Sequence, residues 1–130
     1  MITDDAARTA IQVALTKIQT ATCENSKPCS PTTPQELKQP PIATEDGRAA
    51  MAFAIRSALA AWCGLDWKRD FLPMIAFGKQ QKKMNDRQLQ LMTFIHGDFQ
   101  GRQLITYTKS GQCPAGVKNQ LDLELPKLSR

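Results

Sequence analysis

The stretch F-I-H-G-D-F-Q-G-R-Q, Phe94 to Gln103, gathers the side chains that most resemble a catalytic set: His96, Asp98 and Arg102. Imidazole is the usual general base near neutral pH, and a carboxylate or guanidinium beside it can orient a reacting group. The spacing argues against cooperation within this stretch. His96 and Asp98 are two apart and His96 and Arg102 six apart, so on a helix they point in different directions. A serine or cysteine nucleophile working with His96 must come from elsewhere in the chain, and no G-x-S-x-G elbow is present. Other carboxylates have simpler explanations. Asp66 and Asp70 share a helix face, but Lys68 and Arg69 lie between them, and the pair reads as capping and surface charge. Glu45 and Asp46 suit the first turn of a helix, where the macrodipole favours negative charge. No glycine-rich phosphate loop is present.

Four cysteines, Cys23, Cys29, Cys63 and Cys113, carry the second kind of chemistry. An even number in a small chain suggests pairing, and four cysteines allow three pairings. Cys23 and Cys29 would lie ~9 Å apart along a helix at 1.5 Å per residue. A disulfide tolerates a Cα separation of only about 4.4–6.8 Å. A 23–29 bond therefore requires the first helix to stop and the chain to fold back, and E-N-S-K-P supplies turn-forming residues. Cys63 and Cys113 would then tie a helix end to the C-terminal segment. The two rivals are a zinc site and four reduced structural thiols. Zinc is poorly served, because His96 is the only histidine and no C-x2-C spacing exists. Reduced thiols would suit a cytosolic chain, in which cysteine is a small buried apolar residue. No cofactor is implied.

Charge offers a third kind of site. Residues 1–47 carry four basic and six acidic side chains, residues 48–118 eleven and four, and the last twelve balance. Within the basic block, Lys79, Lys82, Lys83 and Arg87 form the best candidate surface, the three lysines falling on one helical face at spacings of three and four. Such a face can meet an acidic protein, nucleic acid or an anionic membrane. Few aromatic residues interleave with the charges, and no recognised nucleic-acid motif is present, so an acidic protein is the favoured partner. The segment 26–43, with five prolines, is a linker or a stiff arm that could also meet a partner.

The elements that must position these groups read as helices. Residues 3–24 carry an apolar stripe at Ala7, Ile11, Ala14, Leu15 and Ile18, with Thr3 as cap and Asp4 and Asp5 in the first turn. T-P-Q-E-L-K-Q is one short helical turn, capped by Thr33 with Pro34 at its first position. Thr44 begins an alanine-rich helix to Cys63, stopped by Gly64 and expected at the centre of the domain. Asp66 caps a third helix to about Met84, which Pro73 should kink or split. Asn85 and Gln88 form a capping box for a fourth, with Leu89, Met92, Ile95, His96 and Phe99 on one face. Gly97 and Gly101, four apart, suggest close backbone packing or a helix end. Residues 103–108 read as more helix, with strand as the alternative. The alternation of Leu121, Leu123 and Leu125 has the period of a strand, which leaves room for a short C-terminal hairpin.

One hundred and thirty residues suit one domain, residues 1–130. No apolar run approaches the ~20 residues that cross a bilayer. The opening M-I-T-D-D-A-A-R-T-A lacks the basic start and apolar middle of a signal peptide. Either the chain works in the cytosol, or Met1 stands where a leader was removed. The reading that joins these features is a mainly α, disulfide-stapled domain of four helices with a proline-rich arm. It would work in the periplasm or outside the cell as a non-enzymatic protein-binding module of inhibitor, immunity, chaperone or envelope-accessory type. The alternatives are a cytosolic nucleic-acid-binding protein and a small hydrolase using His96.

Overall fold

A computed structural model describes residues 2–128. Six α-helices account for most of the chain: α1 (Asp4–Lys17), α2 (Pro34–Lys38), α3 (Thr44–Trp62), α4 (Lys68–Gln80), α5 (Asp86–Ser110) and α6 (Ala115–Glu124). The four long helices are those the apolar periodicity predicts, and the fold class is mainly α.

Helix starts follow local chemistry closely. Thr3 Oγ1 accepts from Ala6 N–H (3.0 Å). Thr33 and Glu36 cap α2 reciprocally, as Asn85 and Gln88 cap α5. Asp66 Oδ1 accepts from Lys68 N–H at the head of α4 (3.0 Å). At α3 the residue one position earlier than expected is the cap. Ala43 is extended, Thr44 is already helical, and the Asp46 carboxylate accepts from Ala43 N–H (3.1 Å).

Helix ends depart further from expectation. The first helix does not run to residue 24. It ends at Lys17, a 3-10 turn follows over Ile18–Thr20, and Ala21 is extended. Thr20 and Thr22 favour helix only weakly, and the chain must turn here to bring Cys23 opposite Cys29. Thr32 from the arm donates its hydroxyl proton to Leu15 O and so occupies one of the carbonyls that the helix end leaves free. Pro73 does not split α4, which is one helix from Lys68 to Gln80. That helix ends four residues earlier than expected. Lys83 takes the left-handed conformation (φ 55°), and Met84 N–H returns to Gly78 O (3.0 Å).

The C-terminal hairpin is not formed. Residues 103–108 belong to α5, and 115–124 is a helix in which Leu121 and Leu125, four apart, turn inward while Leu123 is 82% exposed. Leucine at three alternate positions satisfies a strand pattern and a helical i, i+4 pair equally well. The pair won because it closes over α3.

The core joins Ala7, Ile11, Leu15 and Ile18 of α1 to Ala50 and Met51 of α3, Met74 of α4 and Leu91, Met92 and Ile95 of α5. Helix α3 lies at the centre and packs most extensively on α5, then on α1 and α4. Its alanines at 50, 54 and 58 are wholly buried, which brings the neighbouring helices close. The closest approach is at Gly47, where a Cβ would sit 3.0 Å from Ile11 Cδ1 and 3.3 Å from Ala7 O. Gly97 and Gly101 are the opposite case: a Cβ on either meets nothing within 4 Å, so they do not mark close backbone packing.

A second, smaller cluster joins Leu121 and Leu125 of α6 to Ala60 at the end of α3, with Leu59, Leu65 and Trp67 packed against it. Arg69 fastens this end. Its guanidinium donates to the carbonyls of Asp122, Leu125 and Pro126, each at 2.9 Å, and pairs with the Asp122 carboxylate.

Candidate functional site

Both disulfides are formed, Cys23–Cys29 and Cys63–Cys113, with Cα separations of 4.8 and 5.1 Å. No free cysteine remains among the described residues. The first bond closes a hairpin over six residues, held by Cys23 N–H to Lys27 O (2.7 Å) and Cys29 N–H to Ala21 O (2.9 Å). The second ties the end of α3 to the α5–α6 turn. Beside it, Trp62 stacks on Tyr107 (5.5 Å between centroids) and donates Nε1–H to Gly111 O (2.9 Å).

His96 has a serine partner that sequence spacing could not reveal. Ser57 Oγ of α3 lies 2.8 Å from His96 Nε2 of α5, across 39 residues of chain. The hint in the sequence was Ser57 itself, a hydroxyl in the otherwise apolar run of an alanine-rich helix. Serine and imidazole at this distance form the core of a nucleophilic pair. Here the two side chains are 0% and 1% exposed, and Phe71 and Trp67 pack their rings on the imidazole at 4.9 and 6.0 Å. A substrate carbonyl reaches Ser57 Oγ only if α3 and α5 part. Burial holds the His96 pKa down to about 4, so the ring is neutral at physiological pH and acts as a polar tie inside the core. Asp98 is not part of this pair. It faces outward and bonds Arg102 (2.9 Å), one turn on along α5.

Asp70 is the other buried polar residue near this centre. Its side chain lies inside the head of α4, 3.7 Å from the Arg56 guanidinium through Oδ1, while Oδ2 has no hydrogen-bond partner. Burial raises its pKa, and Arg56 offsets only part of that rise. Of the pair read from the sequence as capping and surface charge, only Asp66 has that role, exposed at the cap; Asp70 is buried.

The four basic residues separate into two kinds. Arg87 turns inward and grips the arm: its guanidinium meets both carboxylate oxygens of Glu36 at 2.7 Å and the carbonyl of Ser30 at 2.6 Å. That forked pair holds the Glu36 pKa below its usual value. Lys82 pairs with Asp46 at 2.5 Å, which bridges the end of α4 to the start of α3. This bond raises the Lys82 pKa. Lys79 and Lys83 are exposed and form no ion pair among the described residues. Since α4 ends at Gln80, the three lysines do not share one helical face.

The arm is ordered by these contacts. Gln12 Nε2 donates to Leu37 O (3.2 Å) and Gln88 Nε2 to Pro41 O (2.9 Å), so residues 30–42 are laid along α1 and α5. Among the described residues no three His, Cys, Asp or Glu side chains converge as a metal site would require, and no helix is long and apolar enough to cross a membrane. Comparisons with protein-family models, curated proteins and solved structures give no match to this chain.

Proposed function

We propose that this chain is an extracytoplasmic protein-binding module of inhibitor, immunity, chaperone or envelope-accessory type, and that the outward face of α4 meets an acidic protein. The observation that carries the reading is the composition of that face. Lys68, Leu72, Ala76 and Lys79 follow one another at helical spacing, and all four are exposed. Phe77 stands at the edge of this row and Lys83 just past its end. Leu72 is 45% and Phe77 55% exposed, large apolar side chains left in water beside Lys68, Lys79 and Lys83, which form no ion pair among the described residues. Apolar anchors set among unpaired charges of one sign suit a partner with an apolar centre and an acidic rim.

The sulfur chemistry supports the compartment in this reading. Two disulfides, each with one buried cysteine, Cys29 in the first and Cys63 in the second, fit an oxidising environment. The Cys63–Cys113 bond also ties the end of α3 to the segment that follows α5, the two helices on which α4 packs, and a surface held in place before the partner arrives lowers the entropic cost of association.

The test is retention of proteins from an envelope extract of the producing organism on the immobilised oxidised chain, compared with the double variant Lys79→Glu/Lys83→Glu. Neither side chain forms an ion pair among the described residues, so the variant should still fold, melting only a few degrees lower because two negative charges replace positive ones at the C-terminal end of α4. The expected result is an acidic protein retained by the wild type, released by high salt and not retained by the variant. Equal retention by both chains would remove α4 from the reading. Tight, steeply salt-dependent retention of a DNA duplex would replace the protein partner with nucleic acid.

A further inference from the structure

The outward face of α5 carries a hole and a knob at matched distances from a glycine. The hole is a cavity of about 220 Å³ between α1 and α5, lined by Ala10, Val13 and Ala14 on one helix and Phe94 and Gly97 on the other. An apolar cavity of roughly 150 Å³ is large enough for benzene, so this one is large enough for the side chain of an isoleucine. The knob is Ile105, 57% exposed. Midway between Gly97 and Ile105 stands Gly101, four residues from each. Hole and knob therefore lie ~6 Å to either side of Gly101 along the helix axis. They are also turned from it by about 40° in opposite senses.

This arrangement is self-complementary. A two-fold axis through Gly101, perpendicular to α5, carries the Ile105 of each copy onto the Gly97 of the other, so both knobs meet both holes at once. The glycines fit that geometry and have no role inside the chain. Both are exposed in the interior of α5, and each costs about 1 kcal/mol of helix stability relative to alanine. A Cβ on either meets nothing within 4 Å of its own chain.

Charge points to the same occupant. The chain carries a net charge of +5, so two copies repel over most of their surfaces. The row Phe94, Gly97, Gly101, Ile105 and Thr108 holds no charge over ~21 Å of helix. Beside it, Asp98 and Arg102 neutralise each other at 2.9 Å. The two charged residues that line the cavity, Lys17 and Asp98, are of opposite sign. A neutral strip on a basic molecule suits a second copy better than it suits an acidic protein or nucleic acid.

We propose that the chain forms a symmetric dimer in which α5 crosses α5 of a second copy, antiparallel, at Gly101, and each Ile105 enters the cavity beside Gly97 of the other copy. The missing side chains at the crossing let the two axes come to the short end of the usual 8–10 Å separation. One helix pair and the edge of α1 make a small interface, below the roughly 1,200 Å² of a stable complex, so the dissociation constant should be about 10–100 μM. The proposal depends neither on the α4 face nor on the compartment.

Sedimentation equilibrium of the full oxidised chain, from about 1 μM to about 300 μM, reads the association. The wild type should pass from monomer toward dimer within this range. Salt at about 0.5 M should not weaken it, because the contact is uncharged. Gly101→Leu places a bulky group on the two-fold axis and should weaken association by more than about tenfold. Its melting temperature at about 1 μM, where the chain is monomeric, should hold or rise, since the new side chain meets open space and helix propensity improves. Ile105→Ser should also weaken association, and Lys79→Glu/Lys83→Glu should leave it unchanged. A wild type that stays monomeric at about 300 μM, a dimer dissolved by salt, or a Gly101→Leu chain that associates like the wild type would each overturn the proposal. So would a Gly101→Leu chain that melts lower at about 1 μM, since Gly101 would then serve the fold itself.

Discussion

At the scale of single residues, the buried polar groups set how the molecule responds to pH. His96 titrates near 4 when folded, against 6.5 when unfolded, so the folded state binds fewer protons between these values. Its contribution to stability is complete above about pH 7 and is lost as pH falls toward 4. Asp70 has the opposite sign. Its raised pKa means the folded chain holds that proton more tightly, and stability is lost as pH rises upward from 3.8. In the Asp70→Asn background, urea unfolding should show a loss of about 2 kcal/mol between pH 7.5 and 5. That dependence should vanish when His96→Gln is added, whatever the second substitution costs at neutral pH. A slope that survives would place the titrating group elsewhere. The sequence shows that His96 lies on an apolar face and that Ser57 interrupts an apolar helix. It does not show that they meet, because 39 residues of chain separate them.

At the scale of elements, glycine and leucine patterns show why identical local signals end differently. Gly47, Gly97 and Gly101 all sit within helices, and only Gly47 lies where another helix crosses. Replacing Gly97 or Gly101 by Ala should stabilise the chain by about 0.5–1 kcal/mol, since helix propensity improves and the new methyl meets open space. Gly47→Ala forces a methyl to 3.0 Å from Ile11 Cδ1 and 3.3 Å from a backbone oxygen, so its packing cost should exceed the propensity gain by about 1 kcal/mol. Thermal melts of the three variants check the contrast. Helix starts were readable because a cap bonds a residue two or three positions away: Thr3, Thr33 and Asn85 all behave as their local sequence requires. The early end of α1 and the helical state of 115–124 were not, since the first answers to a disulfide and the second to packing on α3.

At the scale of the whole molecule, the question is what keeps a small, alanine-rich core folded. On the chain-entropy model, a bond spanning 50 residues contributes about 4 kcal/mol and one spanning six about 2 kcal/mol. Together these rival the entire net stability of a typical domain, about 5–15 kcal/mol. Reduction should therefore lower the melting temperature by well over 10 °C, most of it recovered in a chain that keeps only Cys63–Cys113. Calorimetry of the oxidised, reduced and Cys23→Ser/Cys29→Ser forms separates the two bonds. An unchanged melting temperature on reduction would show that the apolar core suffices, and the argument for an oxidising compartment would weaken with it.

Composition, periodicity and capping chemistry were enough to determine a helical chain, four long helices and a turn that lets Cys23 reach Cys29, because each depends on neighbours a few residues away. Which charges remain outside ion pairs was decided only by tertiary structure. Arg87 and Lys82 look like their neighbours Lys79 and Lys83 in sequence, yet Glu36 and Asp46 claim them across 51 and 36 residues. An ion pair forms where folding brings opposite charges together, and that juxtaposition depends on how α2, α3, α4 and α5 pack rather than on the order of residues along any one of them.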